Sequence, residues 1–188
     1  GGAELRARGD GPPKFHAAHS SAALAANVFG PWLVGDEAVR LIGETFAGEK
    51  HLEAECSTGL RGTPPTLDFL VDGPHVLAVE SKCTECFEAH EAAFTPAYEG
   101  LVAELADPIW RAEYDRLIED PRRYRFLDAA QLVKHYLGLR RRFSEGPVTL
   151  AYIRIPEGAR KNAHGPRCCP NRELTCGRCR PPSPPTPA

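Results

Sequence analysis

The sequence predicts an α/β layer fold, and three observations predict it. Apolar residues recur at helical spacing near the N-terminus. Three short apolar or alternating runs follow, punctuated by turn residues. A long helical stretch with a Gly-Pro stop then leads to one last strand-like run. Strands followed by a helical crossover and a further strand imply a central mixed sheet flanked by helices. The chain has 188 residues and is 42% hydrophobic, which is long and apolar enough to bury a core. That excludes wholesale disorder.

The first helix is placed near 20–29, with Ser20 or Ser21 as its cap and Gly30-Pro31 as its stop. It lies within 15–35, a stretch of 21 residues without Asp, Glu, Lys or Arg. Its length would reach across a bilayer. However, His16, His19, Ser20, Ser21 and Asn27 interrupt it, and its apolar content is mainly Ala. Glu4 and Asp10 among the leading basic residues argue against a secretory signal. A soluble, cytoplasmic protein with no membrane segment is the expectation. The absence of Met and the Gly1-Gly2 start predict a sequence that begins inside a longer reading frame.

A second helix is read over 36–46, because Val39, Ile42 and Phe46 are spaced for one face and Asp36 can cap it. Residues 50–58 alternate, with Leu52, Ala54 and Cys56 on one side and His51, Glu53 and Glu55 on the other, as in a half-exposed strand. Residues 66–71 form a second strand, and Asp72-Gly73-Pro74 turns into a third at 75–82. The third strand is apolar on both faces over 76–79, as a buried central strand is. Residues 87–106 read as loop and helix. Asp107-Pro108 opens a helix with Ile109, Trp110, Tyr114, Leu117 and Ile118 as its apolar face. Asp120-Pro121 ends it and starts another helix running to about Phe143. Gly146-Pro147 then precedes the last strand at 148–155. The expected division is a flexible segment at 1–14, a domain at 15–155, and a disordered tail rich in Pro, Arg and Cys at 156–188.

One place concentrates charge within apolar strands. Asp68 stands between Leu67 and Phe69. Glu80 ends the next apolar run, and Lys82 follows on the same face because strand side chains alternate. Charges sit in such runs when they are paired or bound to a metal. Two carboxylates are a hard-oxygen donor set suited to Mg²⁺ or Mn²⁺, which take their remaining ligands from water and phosphate. The alternative is an exposed strand-end ion pair at Glu80 and Lys82, with Asp68 facing solvent.

Pro65-Thr66-Leu67-Asp68, eleven residues, then Glu80-Ser81-Lys82 resembles the signature of the PD-(D/E)XK nuclease superfamily. The region from His19 through Pro31, together with Glu80-Ser81-Lys82-Cys83-Thr84-Glu85, is similar to a bacterial group of restriction-endonuclease-like proteins. The resemblance covers about 15–155. It departs from the name-giving pattern in having Leu67 before Asp68, where that pattern has Pro. It implies a restriction-endonuclease-like core of helix, three strands, helix and strand. It also implies a Mg²⁺- or Mn²⁺-dependent deoxyribonuclease. Asp68, Glu80 and the Ser81 carbonyl would hold the ion, and Lys82 would serve the attacking water. Such nucleases often add a Glu from the first helix. Glu44 is the leading choice here, with Glu37 and Glu53 behind it. Many also carry Gln-x-x-x-Tyr on the following helix; here Gln131 is followed four residues later by His135, on one helix face. A solvated face reads Gln131 and His135 equally well.

The formal net charge is −2, which alone speaks against a broadly basic nucleic-acid binder. Divided along the chain, residues 1–137 carry −9 and residues 138–188 carry +7. Arg122 and Arg123 at the start of the long helix, and Arg140 and Arg141 at its end, are the DNA-backbone candidates. Arginine at a helix C-terminus is also favourable for the dipole. No base-reading motif is visible. The expected partners are DNA and, as an assembly, a homodimer.

Seven Cys is an odd count and, with no secretory signal, favours reduced thiols. Cys83 and Cys86, with Cys176 and Cys179, form two Cys-x-x-Cys pairs with spacing adequate for zinc. An iron–sulfur cluster is the variant that the nuclease resemblance adds. Incidental thiols are the preferred reading. A non-catalytic zinc- or iron–sulfur-binding module and an inactive nuclease fragment stand as the alternatives to the enzyme.

Overall fold

A computed structural model describes residue 16 and residues 20–82, 89–124 and 126–154. The element order is α1 (Ser21–Leu33), β1 (Val39–Leu41), β2 (Glu44–Phe46), β3 (Glu49–Glu55), β4 (Thr66–Asp72), β5 (Val76–Lys82), α2 (Ala97–Leu105), α3 (Pro108–Glu119), α4 (Ala129–Arg142) and β6 (Val148–Arg154). Four strands form one sheet in the order β3-β4-β5-β6. The first three are antiparallel neighbours and β6 runs parallel to β5. This is the expected mixed sheet, with the helical segment supplying the crossover that a parallel pair requires.

Two apolar clusters cover the sheet. In one, α1 contributes Ala25 and Phe29, which meet Phe69, Val71, Leu77 and Val79. Phe29 stacks on Phe69 with ring centroids 4.4 Å apart. In the other, Leu70, Val76 and Ala78 pack with Leu139 of α4. Leu70, Leu77, Phe69 and Leu139 are all fully buried. Burial of each such side chain contributes about 1.5–3 kcal/mol. A third cluster joins α2, α3 and α4 through Leu101, Tyr114, Leu117, Val133 and Tyr136.

The caps explain where the helices begin. Ser20 Oγ accepts from the Ala23 N–H at 3.1 Å. Asp107 accepts from the Ile109 and Trp110 N–H groups, ahead of Pro108 at the first helical position. Asp128 Oδ1 accepts from the Gln131 N–H at 2.9 Å and starts α4. Tyr136 on α4 stacks on Trp110 of α3 at 4.5 Å, and its hydroxyl donates to Asp107 Oδ2.

Four local expectations are corrected. Residues 36–46 hold a hairpin of β1 and β2, with Val39 paired across to Phe46. Both of those residues are buried, whereas Ile42 is 72% exposed at the tip. Ile42 and Gly43 take left-handed φ of 49° and 81°, as a tight hairpin turn needs. Second, α1 continues through Gly30-Pro31 to Leu33, which brings Trp32 against the core cluster. Pro31 is exposed, and it removes only one main-chain bond near the helix end. Third, the helix expected from 121 starts at Ala129, because Asp128 is the cap. Finally, Ile109 and Ile118 are exposed, so the buried face of α3 rests on Tyr114 and Leu117.

The alternation expected along β3 also breaks. Leu52 packs in the cluster with α1, whereas Ala54 and Cys56 pack in the one with Leu139. Glu53, between them, has φ of 52° and reverses the alternation. The neighbouring strand does the same, with Phe69 in the first cluster and Leu67 in the second. The residue between those two is Asp68.

The proposed division at 1–14 and 156–188 falls on residues outside those described, as do Cys83, Cys86, Cys176 and Cys179. Among the described residues, Cys56 is a free, buried thiol, pushed up to about 11 by burial. Among them, too, no helix is long and apolar enough to cross a membrane.

Candidate active site

Asp68 sits where the ladder opens on both sides. Towards β3, the paired positions are Leu52 with Phe69 and Ala54 with Leu67, so the left-handed Glu53 stands across from Asp68. Towards β5, the paired register ends at Phe69 with Val79. One step further, the carboxylate takes over from the main chain. Asp68 Oδ2 accepts from the Ser81 N–H at 2.7 Å and from the Ser81 hydroxyl at 2.6 Å. Charge-assisted bonds of this length are strong, and they fix the carboxylate beside the end of β5. Asp68 and Ser81 are both buried.

The end of β5 supplies the rest. Glu80 is 4% exposed, and Lys82 Nζ lies 2.8 Å from its Oε1. From α4, the ring of His135 approaches the other oxygen, with Nδ1 3.6 Å from Glu80 Oε2. Burial pushes the Glu80 carboxyl up to about 7; Lys82 opposes that rise, and the charges of Asp68 and Asp128 add to it. Burial likewise pushes His135 down to about 4, and Lys82 adds to the depression. The imidazole is therefore neutral at pH 7.

Sequence-chosen residues thus divide into two groups. Asp68, Glu80, Ser81, Lys82 and His135 come together. Gln131 lies one turn ahead of His135 on α4, partly buried. Glu44 goes elsewhere: it belongs to β2, not to a helix, and its carboxylate lies 3.8 Å from His75 Nδ1, just before the start of β5. Glu37 is exposed between α1 and β1, whereas Glu53 occupies the register position across from Asp68. Among the arginines, Arg122 binds Glu91 at 3.0 Å and Arg123 lies over the Tyr124 ring. Arg140 donates to the Gly146 carbonyl at 3.0 Å, and Arg141 packs over Gly59.

Sequence reasoning missed two neighbours. Asp128 acts both as the cap of α4 and as a charge felt by Glu80 and His135. Tyr152 on β6 is the cross-strand partner of Glu80. A cap signal before the Ala129 helix could have found the first. Only the parallel register could have found the second.

Among the described residues, no three His, Cys, Asp or Glu side chains form a ready metal-holding group. Two carboxylates with a main-chain carbonyl are nonetheless the set that Mg²⁺ or Mn²⁺ uses, with water and phosphate completing the shell. The donors fit such an ion chemically. A desolvated Glu80 that holds its proton to about 7 is a carboxylate that a nearby cation would ionise.

A family model described as restriction endonuclease associating with ARP matches residues 4–167. The chain belongs to that family. The four-stranded mixed sheet flanked by helices is consistent with a restriction-endonuclease-like core. No curated protein and no solved structure matches the chain.

Proposed function

We propose that this restriction-endonuclease-family chain is a Mg²⁺- or Mn²⁺-dependent deoxyribonuclease that hydrolyses DNA phosphodiester bonds in the cytoplasm. The observation that carries the reading is the meeting of Asp68, Glu80 and Lys82 at the open end of β4 and β5. Asp68, Glu80 and the Ser81 carbonyl would hold the ion, which when bound supplies Lewis acidity at the scissile phosphate. Lys82 Nζ, already beside Glu80, orients the attacking water and offsets charge that develops on the phosphate. The Ser81 hydroxyl and N–H keep Asp68 in position. Burial around Glu80 and His135 excludes bulk water, which strengthens each of these interactions. Arg122 and Arg123, on the turn leading into α4, are the backbone-binding residues in this reading.

The test is plasmid cleavage by the purified chain with Mg²⁺ or Mn²⁺. Cleavage should be abolished by EDTA and fall by at least about a hundredfold in Asp68→Ala and in Lys82→Ala. Full activity in either variant would falsify the proposal.

A further inference from the structure

The carboxyl ends of β5 and β6 lie side by side, and their parallel register sets residues in pairs. Glu80 stands beside Tyr152, Ser81 beside Ile153, and Lys82 beside Arg154. Side chains alternate along a strand, so Glu80, Lys82, Tyr152 and Arg154 share one face of the sheet. The packing agrees. Ala78 and Leu150, further back on that face, meet the layer that holds Leu139 of α4. Val79, Ala151 and Ile153 turn the other way, towards Phe29 of α1. His135 of α4 approaches Glu80 from the same side as the first group. Arg154, the last residue of β6, therefore closes the row that contains the candidate centre.

Its condition sets it apart. Arg154 is exposed, and among the described residues no ion pair or hydrogen bond holds its guanidinium. Lys82, its neighbour in register, has a side chain 13% exposed and already sits 2.8 Å from Glu80. Other arginines are engaged as well: Arg122 with Glu91, Arg140 with the Gly146 carbonyl and Arg142 with Asp72. The phosphates that flank a cut lie outside the centre, and the protein's own cations have to hold them. A guanidinium suits that task, because its planar fork gives two parallel hydrogen bonds to phosphate oxygens and its charge does not titrate.

We propose that Arg154 binds a phosphate of the DNA backbone beside the candidate centre, which makes the end of β6 a backbone clamp. The inference rests on the nuclease reading for the nature of the substrate, and it adds a contact residue on the strand next to Lys82.

The test is binding of the full chain to a short fluorescein-labelled DNA duplex in EDTA, followed by anisotropy over a range of salt. Arg154→Gln should weaken binding about tenfold at about 0.1 M salt and make the slope of log K against log salt shallower by about one. Arg154→Lys keeps the charge and should keep the slope. Arg111→Gln removes the same charge from an exposed position on α3 and should leave affinity and slope as they are. An unchanged slope in Arg154→Gln, or an equal loss in Arg111→Gln, overturns the clamp and leaves the nuclease reading standing if plasmid is still cut. The expected loss in a chain that cuts no DNA with Mg²⁺ or Mn²⁺ upholds the clamp and overturns the nuclease reading. A native chain that binds no duplex even at low salt also overturns the clamp, and plasmid cleavage then judges the nuclease reading by itself.

Discussion

Glu80 Oε2 and His135 Nδ1 face each other across 3.6 Å in a layer that excludes solvent, and burial moves the two groups in opposite directions. Glu80 keeps its proton up to about 7, whereas His135 loses its own near 4. The consequence for stability can be worked out by sign. Between 4.5 and about 7 the unfolded chain has released the Glu80 proton and the native chain holds it, so stability falls as pH rises. Between about 4 and 6.5 the unfolded chain holds a proton on His135 that the native chain lacks, so stability rises with pH. Each effect amounts to about 3 kcal/mol, and they oppose one another where the windows overlap. In metal-free buffer, His135→Asn should therefore expose a decline from pH 4.5 to 7 in urea unfolding that the native chain largely lacks. Glu80→Gln should expose the opposite slope. Parallel profiles for all three proteins would contradict the pairing.

The Ser81 hydroxyl, 2.6 Å from Asp68 Oδ2, predicts a defined loss. Ser81→Ala keeps the main-chain N–H bond to the same oxygen but removes a hydrogen bond to a buried carboxylate. The expected cost is about 2 kcal/mol, read as a shift in the urea midpoint without a change in slope. An unshifted midpoint would mean that the hydroxyl does not hold Asp68.

Two helical glycines should respond with opposite sign to the same change. A Cβ at Gly138 of α4 would land on the Cys56 carbonyl oxygen, so the helix approaches the end of β3 only because that side chain is missing. Gly138→Ala should destabilise by about 1–3 kcal/mol even though alanine is the better helix former. At Gly100 of α2 a Cβ meets nothing within 4 Å, and Gly100→Ala should stabilise by about 0.5–1 kcal/mol. Thermal unfolding of both variants settles the comparison, and a gain at Gly138 would refute the close approach.

The sheet was legible because its strands announce themselves locally. The run from Thr66 to Lys82 joins two apolar segments through Asp72-Gly73-Pro74, and β4 and β5 form around it as read. The 36–46 segment misled because Val39, Ile42 and Phe46 have helical spacing by coincidence. Val39 and Phe46 are cross-strand partners, and Ile42 is merely the tip. Asp68, Glu80 and Lys82 could be chosen from the sequence, since charge embedded in apolar strands is visible there. Glu44 could not be excluded, since only the hairpin shows that it meets His75. The break in alternation at Glu53, whose φ is left-handed, and opposite it at Asp68 leaves no propensity signal in the sequence.

The parallel pairing of β5 with β6 has a temporal consequence. Asp68, Glu80 and Lys82 are all synthesised by residue 82, but the second edge of β5 is completed by residues 148–154, and the His135 ring arrives on a helix between the two. A growing chain on the ribosome therefore carries Asp68, Glu80 and Lys82 for some seventy residues before it can close the scaffold around them. On the nuclease reading, the centre would be fully scaffolded only once β6 has paired with β5.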